Sequence, residues 1–239
     1  MDQNRLLTKK EMKQMRKLEK LDQAKDKGRQ NTIKWIVIGI SSILFLAFFS
    51  FLVFLAKSSN SKPAVLSDLG QAKGPQNAKI TLVEFADFQC PACKAYHPII
   101  KEILSAYDGR IKFVYKHFPL TSIHANATPA AKAAEAAGQQ GKFFKMHDLL
   151  YDKQSEWSEL PGGQAKDKFI SYAEALNIDL EKFNKDYDRN DLEEKITKNQ
   201  EEGISNGVNA TPTFFLNGKK IENPRTIEDF KKIIDQELK

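Results

Sequence analysis

Only two of the 239 residues are cysteine, Cys90 and Cys93. A small scaffold stapled by several disulfides is therefore excluded. So is a zinc module built on two cysteine pairs. An excess of positive charge is also missing where a folded domain could use it. Residues 1–34 hold 11 Lys/Arg against 5 Asp/Glu, which leaves 26 of each in residues 35–239. The formal net charge of +6 thus belongs to the N-terminal segment, and nothing beyond it argues for a nucleic-acid surface. No internal repeat is present, which excludes a solenoid.

What the chain does have is one long apolar run, "IVIGISSILFLAFFSFLVFLA" (36–56), which carries no charge. At about 1.5 Å per residue it spans a hydrocarbon core of about 30 Å. Trp35 stands at one end as an interface anchor, between flanking Lys34 and Lys57. A cleaved signal peptide has a shorter apolar region and a small-x-small cleavage site, which "FLAKSS" does not supply. No cysteine follows to accept a lipid. Residues 35–56 read as an uncleaved single-pass anchor, and the Lys/Arg bias puts residues 1–34 in the cytoplasm as a basic tail. Everything after the span then lies outside the cytoplasmic membrane, where disulfides persist.

Residues 57–70 are small and polar and read as a linker. From Ile80 the pattern is ordered. "ITLVEFA" (80–86) predicts a strand buried on both faces. "PACKAYHPIIKEILSAY" predicts a helix with Pro91 in its first turn and a kink at Pro98. "RIKFVYKHF" (110–118) predicts a second strand. Residues 125–207 carry only helical signals, including "TPAAKAAEAAG" with Thr128 as N-cap and Gly138 as stop, and a loop at "LPGGQ". "TPTFFLNGKKI" (211–221) returns to strand, with Asn217-Gly218 as a hairpin turn. Thr226 and Asp229 resemble a capping box that opens a last helix. The fold class is α/β with a helical insertion, preceded by one transmembrane helix.

Cys90 and Cys93 carry the chemistry. The four histidines, 97, 117, 124 and 147, are not spaced to complete a zinc site with them. A copper chaperone built on the pair and a distant histidine is weakly supported. A disulfide across so short a loop constrains the unfolded chain little. A redox pair accounts for the placement best. Cys90 just before a helix faces free backbone N–H groups and the positive end of the helix dipole, both of which favour thiolate. Cys93 falls one turn later, shielded but within reach. Cys90 is thus the expected nucleophile and Cys93 the resolving thiol. Glu84, six residues before Cys90, has two readings: an edge residue facing water, or a buried acid exchanging protons with Cys93. His97 lies on the helix away from Cys90. No metal or organic cofactor is needed for such chemistry.

Taken in order, "ITLVEFADFQCPAC", "FVYKHFPL", "HANATPAAKAAEAAGQQGKFFKMHDLLY" and "GVNATPTFFLNGK" resemble the DsbA-like thioredoxin-fold thiol–disulfide oxidoreductases, over residues 66–239. The resemblance implies a thioredoxin-fold domain over 71–239 with the helical insertion at about 125–207. It also implies a cis Thr211-Pro212 bond beside Cys90, with Thr211 offering backbone hydrogen bonds to a bound peptide. Pro212, Pro91 and Ala92 complete the substrate-facing set. Glu84 matches the family's buried acid. The dipeptide between the cysteines is Pro-Ala and not the Pro-His of the best-known oxidant, whose histidine helps to stabilise the thiolate. The implied partners are thiols and disulfides of exported proteins, and a membrane quinone-linked thiol oxidase that restores the disulfide. The implied role is disulfide formation. A thiol reductase of the cytochrome-maturation type and a non-redox holdase are the alternatives.

Overall fold

A run of β-branched and aromatic residues too apolar to face water on either side must sit in the middle of a sheet. Ile80–Ala86 (β2) does so in the computed structural model, which describes residue 12 and residues 34–36, 38–51, 63–161 and 163–239. β2 pairs in parallel with Ile111–His117 (β3) and antiparallel with Thr213–Leu216 (β4). Gln71–Lys73 (β1) and Lys219–Lys220 (β5) close the two edges, giving the order β1-β3-β2-β4-β5. Asn217 and Gly218 both take positive φ, at 48° and 77°, as the tight β4–β5 turn requires.

The N-terminal unit is described by its helix alone, Lys34–Phe51 (α1), which is long and apolar enough to cross a membrane. Its large side chains, among them Trp35, Ile43, Phe45 and Leu46, are exposed. Ser42 turns its hydroxyl back onto the Ile38 carbonyl at 2.8 Å, so its one polar group is satisfied within the helix. The basic tail and residues 52–62 of the expected anchor and linker lie outside the described residues.

In the second unit, Pro91–Ala106 (α2) and Ile227–Leu238 (α8) cover one sheet face, where Ile100, Ile103, Phe230 and Ile234 meet Ile80 and Leu82. The helical block supplies Ala127–Gly138 (α3), Phe143–Asp152 (α4), Gly163–Ala175 (α5), Leu180–Tyr187 (α6) and Asn190–Ser205 (α7). Seven alanines of α3 are buried, and their small side chains let α4 to α7 pack closely around it. α7 crosses the opposite sheet face, over Val83, Phe85, Val114 and Phe118. Thr226 and Asp229 form the capping box of α8 in both directions.

The structure departs from the sequence reading at several points. The N-cap of α3 is Asn126, not Thr128, and the Asn126 side chain is spent on the carbonyls of Trp157, Ser158 and Leu160. Gly163 and Gln164 of the expected loop open α5. Residues 63–70, grouped with the linker, are held to the domain. Ala64 donates to the Gly218 carbonyl at 2.7 Å, and Leu66 packs beside the Val83–Phe85 cluster. Ser67 accepts from the fully buried Lys116 Nζ and donates to Glu202, which itself pairs with that ammonium at 2.5 Å.

α7 can approach the sheet only because residue 203 is glycine. A Cβ there would lie 2.7 Å from the Phe118 ring and 3.0 Å from Phe85. Gly203→Ala should therefore lose about 1–3 kcal/mol by overpacking, despite alanine's better helix propensity. Chemical denaturation of the variant against the parent checks this, and an unchanged midpoint would refute the tight contact.

Candidate active site

Cys90 ends the β2–α2 connection as the N-cap of α2, with extended backbone angles (φ −69°, ψ 122°) and Pro91 at the first helical position. Proline fits there because its missing N–H would have been free in any case. Cys93 follows one turn later and is fully buried, while Cys90 retains 6% of its exposure. Both are free thiols. Pro91 and Ala92 are exposed, so the Cys90 sulfur is reached from that side.

The Thr211-Pro212 bond is cis, and the Cys90 Sγ lies 3.5 Å from the Thr211 carbonyl oxygen. Residues 211 and 212 are buried at the start of β4, next to exposed Asn209 and Ala210. The structure thus brings Cys90, Cys93, Thr211, Pro212, Pro91 and Ala92 together.

Three groups there have displaced acidities. The Cys90 thiol is lowered from 9.0 to about 5. The hydrogen bond from the Cys93 thiol is the largest cause, and burial works against it. The Thr211 hydroxyl, buried and otherwise unpartnered, also lowers it, as do the backbone N–H groups of Cys93 and Ala92. Cys93 is pushed well up, first by burial and then by serving as donor to Cys90. Glu84 is raised from 4.5 to about 8, by burial first and by the Cys90 charge second.

Of the two readings of Glu84, the edge position is the one the structure removes. β2 is the central strand, and Glu84 is 4% exposed between Tyr115 and Phe214. Strand alternation places it on the face of Ile80, Leu82 and Ala86, the face that α2 covers. Cys93 belongs to the buried cluster on that same face, and the Glu84 charge is among the causes that raise its thiol.

Sequence reasoning missed the residues that hold the approach to Cys90. Asp87, buried at 1% exposure, accepts from the Gln89 backbone N–H at 2.7 Å. Its other oxygen accepts from the Leu120 N–H at 2.9 Å and meets His124 Nδ1 at 2.7 Å. Gln89 accepts from the Asn126 N–H at 2.7 Å and donates to the Ser158 carbonyl at 2.7 Å. Gln154 donates to the carbonyls of Phe88 (2.7 Å) and Cys90 (3.1 Å). Two polar side chains in "DFQC" and the distant Gln154 form one network, and no local periodicity marks it. The only sequence signal was Asp87 and Gln89 interrupting an otherwise apolar stretch. His97 and His147 face one another across α2 and α4, with rings 5.2 Å apart.

Residues 68–236 match the protein family described as Thioredoxin. Among solved structures the chain is similar to oxidised BdbD from Bacillus subtilis, at 24% identity and a TM-score of 0.63, over 74% of this chain and 96% of that one. It is likewise similar to alpha-DsbA1 from Wolbachia pipientis, at 21% identity and a TM-score of 0.64, over 72% and 92%. At these identities the likeness is one of fold. Among curated proteins it is 37% identical over 161 residues to the Na(+)/H(+) antiporter NhaA 3 of Salinispora tropica, which covers 67% of this chain and 24% of that protein. The chain spans about a quarter of that relative's length, so ion transport is not carried over.

Two outcomes are expected. Thiolate ultraviolet absorbance should titrate with a midpoint near about 5, and the signal should vanish in Cys90→Ser. A midpoint near the ordinary thiol value of about 8.5 would sink the geometry described. Glu84 has a folded value near 8 above its unfolded 4.5, so its contribution to stability is fully present below 4.5 and is lost as pH rises through about 8. Glu84→Gln should therefore melt like the parent in acid and above it at alkaline pH, and equal melting curves throughout would show the carboxyl to be solvated.

Proposed function

Because the chain belongs to the thioredoxin family, with the fold of the DsbA-like thiol–disulfide oxidoreductases, we propose that it introduces disulfides into exported proteins through Cys90 and Cys93. The observation that carries the reading is the lowered Cys90 thiol, held beside the Thr211 carbonyl. In the oxidised enzyme a substrate thiolate attacks Cys90 Sγ. The Cys90–Cys93 bond breaks, and its electron pair leaves on Cys93. That sulfur is buried where a charge is costly, so it takes a proton. Glu84, still protonated at neutral pH, is the group placed to give it. A second substrate thiolate then attacks the substrate sulfur of the mixed disulfide and expels Cys90. The substrate loses two electrons and the enzyme gains them; Cys93 keeps the proton given by Glu84, which regains one from solvent, and Cys90 leaves as the thiolate. Cys90 is a good leaving group because its thiolate is stabilised.

The same stabilisation supports the oxidising direction. Neutral pH lies about two units above the folded Cys90 value, which favours the dithiol by ~3 kcal/mol. For a two-electron couple that raises the potential by roughly 60 mV. Thr211 and Pro212, with the exposed Pro91 and Ala92, would seat the substrate chain. The apolar α1 and the basic residues before it support a single-pass anchor with its N-terminus in the cytoplasm and the catalytic domain outside. A domain held at the membrane suits reoxidation by a membrane quinone-linked thiol oxidase.

Equilibration of Cys90–Cys93 with a glutathione buffer decides the direction. A potential near about −120 to −150 mV is expected of an oxidant, and one near about −270 mV would mark a reductase instead. Cys90→Ser should abolish oxidation of a reduced unfolded substrate. Suppression of that substrate's aggregation by the variant, with no redox turnover in the parent, would favour a holdase.

A further inference from the structure

The contact between α2 and α4 contains a group of side chains that the redox chemistry does not use. His97 lies one turn beyond Cys93 on α2, and His147, Asp148 and Asp152 lie on α4. His97 Nε2 is 3.8 Å from Asp148 Oδ1 and 3.5 Å from Asp152 Oδ1. His147 Nδ1 is 3.0 Å from Asp148 Oδ1. The ligating atoms of His97, His147 and Asp148 all fall within 4.8 Å of one another. A tetrahedral ion with bonds of about 2.0–2.2 Å sets its ligand atoms roughly 3.3 Å apart, so these separations need only small adjustments.

Hydrogen bonding alone leaves the group unsatisfied. His97 is 6% exposed and His147 5%, and the Nε2 atom of each is buried without a partner. Burial of such atoms is costly unless something meets them. If His147 carries its proton on Nδ1, it donates to Asp148 and leaves a lone pair on Nε2 among apolar rings. If the proton is on Nε2, no acceptor meets it, and the imidazole stands nearly perpendicular to the rings of Tyr115 and Tyr151, at 86° and 85°. The Nδ1 lone pair then faces the Asp148 carboxylate oxygen, and a cation bound between them satisfies both. The ammonium groups of Lys101 and Lys73 act on the cluster from a distance, and neither is paired with it.

We propose that His97, His147 and Asp148, with Asp152 as fourth ligand, bind a structural Zn²⁺ ion that ties α2 to the helical insertion. Two neutral imidazoles and two carboxylates match the ion in both charge and ligand type. Asp148 and Asp152 are partly exposed, and Asp148 also lines a surface groove with Phe143 and Phe144, so the ion has a route in. The donors come from positions 97 and 147, too far apart in sequence to read as a zinc motif.

The test uses the full chain in detergent with Cys90 and Cys93 oxidised, so that their thiols cannot ligate. Zn²⁺ titrated against a chromogenic chelator should bind at one ion per chain and raise the melting temperature. Co²⁺ in its place should give a tetrahedral visible spectrum without a sulfur charge-transfer band. His97→Phe keeps an aromatic ring at the site, and Asp148→Asn changes a partly exposed side chain at constant shape. Each should weaken Zn²⁺ at least tenfold and remove the thermal shift, with unchanged far-ultraviolet circular dichroism. Binding that survives both substitutions, or that occurs only in the reduced protein, would overturn the proposal. So would an oxidised parent that takes up no stoichiometric Zn²⁺.

Discussion

The hydrogen bond from the Cys93 thiol to the Cys90 sulfur is the contact on which the site depends. It exists because the two cysteines are one helical turn apart and differ in depth. Cys93 is sealed beneath the helix, where a charge is penalised, so it keeps its proton and can donate. Cys90, at the N-cap, accepts that bond together with the first backbone N–H groups of α2 and becomes the thiolate. Burial raises both thiols, but at Cys90 the hydrogen bonds outweigh it, whereas at Cys93 burial is the largest cause, and that asymmetry separates two identical side chains. Glu84 is a second effect of the same sealing. A carboxyl in the central strand beneath α2 is raised to about 8, by burial first and the Cys90 charge second.

Such an arrangement holds only if Cys90 cannot drift from the start of the helix. The loop before it would be free if it relied on the sheet alone. Asp87, Gln89 and Gln154 instead bind it to the connection after β3 and to the helical insertion. Each of these side chains is buried and satisfied, which makes the network rigid and costly to break in part. The insertion is thus a support for the N-cap geometry as well as a lid of packed helices. A second tie of the same kind lies farther from the sulfur. Glu135 on α3, fully buried, joins His117 at 2.9 Å, Lys195 at 2.8 Å and Gln71 at 2.8 Å. It links the edge strand β1, the strand β3 and two helices through one carboxylate.

The elements legible in the sequence were those with a local cause. The doubly buried "ITLVEFA", the Pro91 helix start, the Asn217-Gly218 turn and the Thr226–Asp229 box all rest on neighbours within a few residues. The insertion was legible as a helical block because its periodicity is local as well. What escaped depends on partners far along the chain. Asn126 caps α3 with its backbone while its side chain serves residues 157–160, so Thr128 looked like the better cap. β1 has only three residues and no pattern, and it exists because β3 offers an edge. Ser67 and Gly70 looked like linker for want of apolar residues, yet a Cβ at Gly70 would lie 2.4 Å from Val114. Between the two readings of Glu84, strand order decides, and strand order is not a local property.

α2 emerges as the element that concentrates constraint. Its N-terminus holds the reactive sulfur, its first turn buries Cys93, and its second turn presents His97 to α4. Pro98 follows at once, so one backbone donor is missing from the ladder beside that imidazole. A helix with a weakened second turn gains from support outside it. The aromatic cluster of Phe88, Tyr115, His147 and Tyr151 gives it on one side, with ring centroids about 5 Å apart. Tyr151 belongs to α4 and also reaches the Asp87 carbonyl at 3.4 Å, so the cluster touches the loop before Cys90 as well as the face behind His97. Whatever tightens α2 against α4 must therefore be felt at both ends of the segment that carries Cys90 and Cys93.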